Sequence, residues 1–231
     1  MRVNYTAGGN AAAVQTAELA DKAQSSVETS VVTQAIPTIA HWIETSKQVL
    51  DDAAEMKSLL DGILQGGLLD MVDKEVYNTL TTAGNFTAFA AVSGETAGDS
   101  VAKIAADIAI RGGTDIAVAM NPADYLAMTT KKASTSGTYL GMPENLASIV
   151  SAVAAVPAGK LLAFARPSGA AWAERLGVTL ITGLRDTQLT RNALTLLAEC
   201  RGTTLVRDPG HVSFGNLTAT AAATAAAPVT K

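Results

Sequence analysis

Two histidines, His41 and His211, and one cysteine, Cys200, are the only ordinary bases and thiol in this chain of 231 residues. A Ser/His couple or a metal site therefore has little material to draw on. One short match to a catalytic spacing occurs, Ser100-Val101-Ala102-Lys103, but it has no companion motifs and its plain reading is a helix surface. Cys200 has no Cys or His set around it and reads as a packing residue; a single cysteine excludes an intramolecular disulfide framework and suits a reducing compartment. A phosphate-cradling glycine loop, a paired-histidine zinc helix and a nucleophile elbow are all missing. The residue types thus point away from an enzyme, a metal centre and a resident cofactor.

Composition narrows the class further. Hydrophobic residues make up 48% of the chain and aromatic residues only 4%, so the interior is filled mainly by Ala, Val, Leu and Ile. Such packing gives little energy per residue, which makes additional buried surface between subunits an expectation. The net charge of −4 comes from intermingled acids and bases without a basic stripe, unlike a dedicated nucleic-acid binder, whose phosphate contacts need clustered Lys or Arg. The most apolar run, Leu146 to Ala158, is too short to span a membrane and stops near Pro157. The start, polar after Met1, does not read as a signal peptide.

The elements organise around Thr38–Leu80. Ile36, Thr38, Ala40 and Trp42 read as extended chain, Asp51 and Asp52 suit a helix start, and Met56, Leu59, Leu60, Ile63, Leu64, Leu68, Met71, Val72 and Val76 recur at intervals of three and four. That spacing predicts a long amphipathic helix, held by packing despite Gly62, Gly66 and Gly67, each costing about 0.5–1 kcal/mol relative to Ala. Before it, Val3 and Tyr5, the turn formers Gly8-Gly9-Asn10, and Val27 to Thr33 suggest a two-stranded arm.

After a loop at Thr81–Thr87 and a boundary at Ser93–Gly98, Val101, Ile104, Ala105 and Ile108 predict a second helix closed by Gly112-Gly113. Ile116–Met120 reads as a buried strand, and Asn121-Pro122 as the cap and first position of a third helix. Lys131–Gly141 reads as a polar loop. Ile149–Val156 and Lys160–Arg166 predict strands separated by a hairpin or loop at Pro157-Ala158-Gly159, Trp172–Leu176 a helical turn, and Val178–Thr182 a strand. Arg185–Thr190 is a charged loop, Asn192–Val206 a long extended stretch, and His211–Phe214 a short final strand after the turn Asp208-Pro209-Gly210. From Thr218 the Ala/Thr-rich chain reads as a disordered tail. The sum is an α+β protein in two parts, the second inserted in the first.

The string Thr38-Ile39-Ala40-His41-Trp42, followed in register by Ser46-Lys47-Gln48-Val49-Leu50-Asp51-Asp52-Ala53 and the amphipathic run, resembles the major capsid proteins of tailed phages with the Hong Kong 97-type fold. The resemblance implies an extended loop at 1–37, a peripheral domain with a spine helix at 38–95 and 185–217, an inserted axial domain at 96–184, and a tail at 218–231. The N-terminal arm that precedes the loop in that family is expected to be lacking here. Implied too is a structural role: self-assembly through pentamers and hexamers into an icosahedral virion shell that encloses DNA without reading its sequence. Assembly is expected in the host cytoplasm, with scaffold, portal or decoration proteins as further partners and no membrane. An encapsulin-like nanocompartment shell is the alternative, and a small cytosolic enzyme a distant third.

Some members of that family crosslink their subunits. Aligned on Thr38–Trp42, Lys22 falls where such members carry the reacting lysine, and Arg191-Asn192-Ala193-Leu194-Thr195-Leu196-Leu197-Ala198-Glu199-Cys200 is similar to the segment with the acceptor asparagine and assisting glutamate. The implied isopeptide site is Lys22, Asn192 and Glu199. Because a lysine of ordinary pKa, about 10.4, is almost wholly protonated at neutral pH, it must be desolvated or hand its proton to a base before it attacks. Asn192 and Glu199 are seven apart, which on a regular strand puts them on opposite faces. The trio would therefore be drawn from different subunits.

Overall fold

The computed structural model describes residues 2–7, 12–16, 21–25, 27–32, 35–52, 54–132 and 144–218. The turn at Gly8-Gly9-Asn10, most of the polar loop before residue 144 and the tail from 219 onward lie outside them. In chain order come β1 (Arg2–Ala7), β2 (Val27–Val32), β3 (Thr38–Ser46), α1 (Lys47–Asp52), α2 (Ala54–Leu80) and β4 (Thr87–Phe89). Next are α3 (Ala97–Ile110), β5 (Ile116–Met120), α4 (Pro122–Thr129), α5 (Glu144–Ala147), β6 (Val150–Ala152) and β7 (Lys160–Ala165). The series closes with β8 (Ala170–Gly183), α6 (Gln188–Arg191), β9 (Ala193–Val206) and β10 (Val212–Asn216).

The chain divides into two compact units, residues 1–85 with 167–209 and residues 86–166 with 210–231. In the first unit β1 and β2 form an antiparallel ribbon, and β3, β9 and β8 make a three-stranded antiparallel sheet in that order. Alternation along β9 sends Leu196, Ala198 and Cys200 to one face, where they meet Leu64 and Leu68 of α2 with Ile39, Ile43, Leu60 and Val72 around them. Burying each such leucine stabilises the unit by about 1.5–3 kcal/mol.

Much of the rest of the stripe read from sequence is uncovered: Met56, Leu59, Ile63 and Met71 are exposed, while Val76 is half-buried. Only one flank of α2 packs, because a single sheet covers a single side of a helix. Asp51 and Asp52 end α1 instead of starting a helix; Glu55 is the acid in the first turn of α2. Trp172–Leu176, expected as a helical turn, is strand. Trp172 pairs in register with Thr204, and its ring lies over Gly202, where any Cβ would come within 2.2 Å of it. Cross-strand packing thus outweighs local preference.

The second unit has a five-stranded sheet ordered β4-β10-β7-β5-β6, mixed in sense, with α3 against it. Local signals fix α3: Thr96 and Asp99 form a reciprocal capping box, and Gly112 at φ +92° lies just beyond its end. Asn121 caps α4 by accepting from Ala123 N, and its amide donates to Val156 O at 2.8 Å. Val101, Ile104, Ile108, Val118, Met120 and Leu161 are fully buried together.

Three boundaries depart from the sequence expectation. Residues 170–183 join the first unit, because β8 pairs along β9, and β10 joins the second, paired to β4 and β7. The division falls at 85/86, ahead of the expected boundary at Ser93–Gly98. Of the two readings of Pro157-Ala158-Gly159, the loop holds and the hairpin does not, since β5 lies between β6 and β7. The stretch from Arg185, expected as loop, includes the short helix α6, held by Gln188, which accepts from Arg185 N and bonds the Thr195 hydroxyl.

Candidate functional site

The three residues of the implied crosslink are set out along the first unit, not gathered. Lys22 is solvent-exposed and flanks a cleft of about 450 Å³ beside Val14, Gln15 and Asp21. Asn192 is exposed and adopts a left-handed backbone, φ 51°, as the residue that ends α6. It therefore stands outside β9, so strand alternation does not set where its side chain points. Its carbonyl accepts from Lys47 N at 2.8 Å, which ties the β9 entry to the start of α1. Glu199 is half-buried on β9, between Ala40 and Thr179. Seven extended residues span roughly 20 Å. One chain therefore does not present Asn192 and Glu199 to a common amine.

Neither histidine is placed as a catalytic base. In the first unit His41 Nε2 donates to the carbonyl of Leu64, in the middle of α2, at 2.6 Å. The ring fits because residue 67 is glycine: a Cβ there would stand 2.8 Å from His41 Cε1. The staple pins β3 to α2, and sequence reading missed it because no local pattern links positions 41 and 67. In the second unit His211 Nε2 donates to Arg111 O at 2.9 Å, and Arg111 in turn reaches Asp107 at 2.5 Å and Ser213 at 2.6 Å. Ser100 is buried in α3 while Lys103 pairs with Glu95, so the Ser-x-x-Lys match has no catalytic geometry. Burial, and then the charge of Glu174, raises the Cys200 thiol pKa above its ordinary value, which keeps it protonated and inert.

Two outward surfaces of the first unit carry apolar side chains in the open. On the sheet face away from α2, the register aligns Trp42, Leu197 and Ile181 across three strands, with the Arg185 guanidinium 5.1 Å from the Trp42 ring centre. On α2, the side away from the sheet shows Leu59, Ile63 and Leu69, each more than half exposed. Near its end, burial and the neighbouring Asp70 raise the pKa of Asp73. Among the described residues no group of His, Cys, Asp and Glu is arranged to hold a metal, and no helix is long and apolar enough to cross a membrane.

A helix laid over a three-stranded sheet, a two-stranded arm before it and a second α/β unit made from two separate stretches constitute the Hong Kong 97-type capsid fold. The solved structures that share it include Mycobacterium phage Adephagia, TM-score 0.64 at 15% identity, covering 96% of this chain and 85% of that one. The capsid of the native GTA particle gives 0.58 at 17%, over 94% and 85%. A virus-like particle from Pyrococcus furiosus gives 0.62 at 14%, over 83% and 79%. In sequence the chain is 26% identical over 138 residues to the major capsid protein of Enterobacteria phage HK97, taking in 55% of this chain and 36% of that protein. The chain thus spans about a third of the length of that curated relative. No protein-family model matches.

Proposed function

We propose that this chain is the shell-forming subunit of a tailed-phage or prophage head, many copies of which close into an icosahedral container for DNA. The observation that carries the reading is the likeness to the Adephagia structure, which runs through 96% of the chain and both units. A first unit that leaves large apolar side chains uncovered fits a protein whose remaining burial comes from neighbours. On this reading the β1–β2 ribbon is the extended loop, α2 the spine helix, the rest of the first unit the peripheral domain and the second unit the axial domain. Pentamers and hexamers are its assemblies, the virion capsid its location and the host cytoplasm the place where it is made. Scaffold, portal and decoration proteins complete its set of partners.

Expression followed by negative-stain microscopy and sedimentation tests this. Closed particles containing nucleic acid are the expected result, and a chain that stays monomeric at high concentration overturns it. Particles filled with a second protein would favour the other reading, a cargo compartment, for which the likeness to the Pyrococcus furiosus particle speaks.

The same reading gives Lys22, Asn192 and Glu199 a covalent role between subunits. The neutral Lys22 amine attacks the Asn192 carboxamide carbon, Glu199 of a further copy takes a proton from the attacking nitrogen and passes it to the carboxamide nitrogen, and the C–N bond to that nitrogen breaks so that ammonia leaves as the new amide forms. Placement of Asn192 and Glu199 far apart on one chain supports a site assembled from several copies. Assembled particles should run as a ladder on a denaturing gel, reduced to a monomer band by Lys22→Ala or Asn192→Ala.

A further inference from the structure

The three glycines of α2 are not alike. Gly67 is explained by the His41 ring against it, whereas, apart from the adjoining residues and backbone of α2 itself, no atom among the described residues lies within 4 Å of where a Cβ on Gly62 or Gly66 would stand. These two are one turn apart on the flank opposite the buried Leu64 and Leu68, between the exposed Leu59, Ile63 and Leu69. Inside a helix each glycine is a cost that packing among the described residues does not require. A bare glycine pair bordered by leucine and isoleucine makes a shallow trough that admits another backbone closely. The end of the trough is acidic: neither Asp70 nor Asp73 has an ion-pair partner among the described residues.

A matching ridge exists on the same unit. β8 is an edge strand, and its pairing with β9 slips twice between Glu174 and Thr179, which pushes out a segment with exposed Leu176 and Val178. Arg175 precedes them and Arg201 pairs opposite Leu176; both are exposed, with no ion-pair partner among the described residues. Two α2 troughs facing each other would set acids against acids, so a symmetric contact is disfavoured. Trough against ridge sets apolar on apolar and carboxylate on guanidinium.

Resting on the shell-subunit reading, we propose that the Gly62–Gly66 trough of α2 receives the slipped β8 segment, Arg175–Val178, of a second copy. Asp70 and Asp73 then face Arg175 and Arg201. The two surfaces differ, so the contact is head-to-tail, and repetition closes a ring when the rotation between copies is a whole fraction of a turn.

The test is disulfide trapping in assembled particles of the full chain carrying Gly66→Cys with Leu176→Cys, sites that a bridge joins only when their Cα atoms come within about 7 Å. A ladder of dimers, trimers and larger species that thiol collapses is expected, with none from either single variant. Asp73→Arg and Arg175→Asp should each raise the concentration needed for assembly about tenfold, and together restore it. Gly62→Ala, which improves the helix but fills the trough, should raise the melting temperature of the subunit while hindering assembly. Wild-type particles whose double-cysteine variant stays monomeric on the gel overturn this contact alone. A wild-type chain that forms no particles overturns the shell reading and the contact together.

Discussion

The two units spend their apolar residues differently. In the second, the side chains of α3 and the five-stranded sheet close on one another, and Val92, Ile110 and Leu126 are its exposed large apolar residues among those described. The first has a much smaller buried cluster, with Trp42, Leu59, Ile63, Leu69, Ile181 and Leu189 among those in solvent. One helix on one sheet covers only half of each, so the first unit is built to be finished by something else. The second satisfies itself. The asymmetry separates a part that keeps its shape alone from a part that offers surface.

The sharpest way to break this contrast is to make the same change in both units. Ile108→Ala, at full burial in the second, should cost about 2–5 kcal/mol in a denaturant titration. Ile63→Ala, at 52% exposure on α2, should stay within about 0.5 kcal/mol. Equal losses would mean that α2 is covered within the subunit. Next in size is Gly67→Val, which drives a branched side chain into the His41 ring and should cost about 1–3 kcal/mol. Adding His41→Ala should recover part of that loss, and strict additivity of the two changes would remove the staple from the account.

Thr96→Ala should cost about 1 kcal/mol by uncapping α3. Hydrogen bonds from Thr96 lower the pKa of Asp99 below its ordinary 3.8, so the bonded carboxylate stabilises the fold above that value and the contribution disappears as pH falls through the depressed one. The difference between wild type and Thr96→Ala, followed by melts across pH, should therefore shrink in acid. Smallest of all is Asp73→Asn. Since burial and Asp70 raise the Asp73 pKa, ionisation weakens the fold there, and the variant should gain slightly in melting temperature at neutral pH and nothing at pH 3.

Sequence legibility follows the range of the deciding interaction. α3, β5 and the start of α4 could be read because the Val101–Ile108 stripe closed by Gly112, the apolar run Ile116–Met120 and the pair Asn121-Pro122 are all local signals, whereas the Thr96–Asp99 capping box was seen only in the structure. The strand at Trp172 could not, because what holds it is Gly202, thirty positions on. Periodicity announced α2 and was silent on which flank would be covered. The glycines of that helix read as a single packing signal, yet among the described residues only Gly67 has a neighbouring side chain close enough to demand it. The candidate crosslink came from a resemblance, and its residues carry no mark in spacing or charge that would single them out. His41, conspicuous as one of two histidines, turned out to hold a helix instead of a proton in transit.

The place of β10 in its sheet has a consequence in time. Val212–Asn216 sits between β4 and β7 although it follows every other strand of that sheet in the chain, and β9, the centre of the other sheet, is nearly as late. While the chain is shorter than 193 residues, the three-stranded sheet lacks its central strand, and in the other sheet β4 has no strand to pair with, although β7, β5 and β6 are already made. Both sheets are therefore completed only by the last quarter of the chain, so a chain truncated before residue 193 should show neither sheet finished in hydrogen exchange.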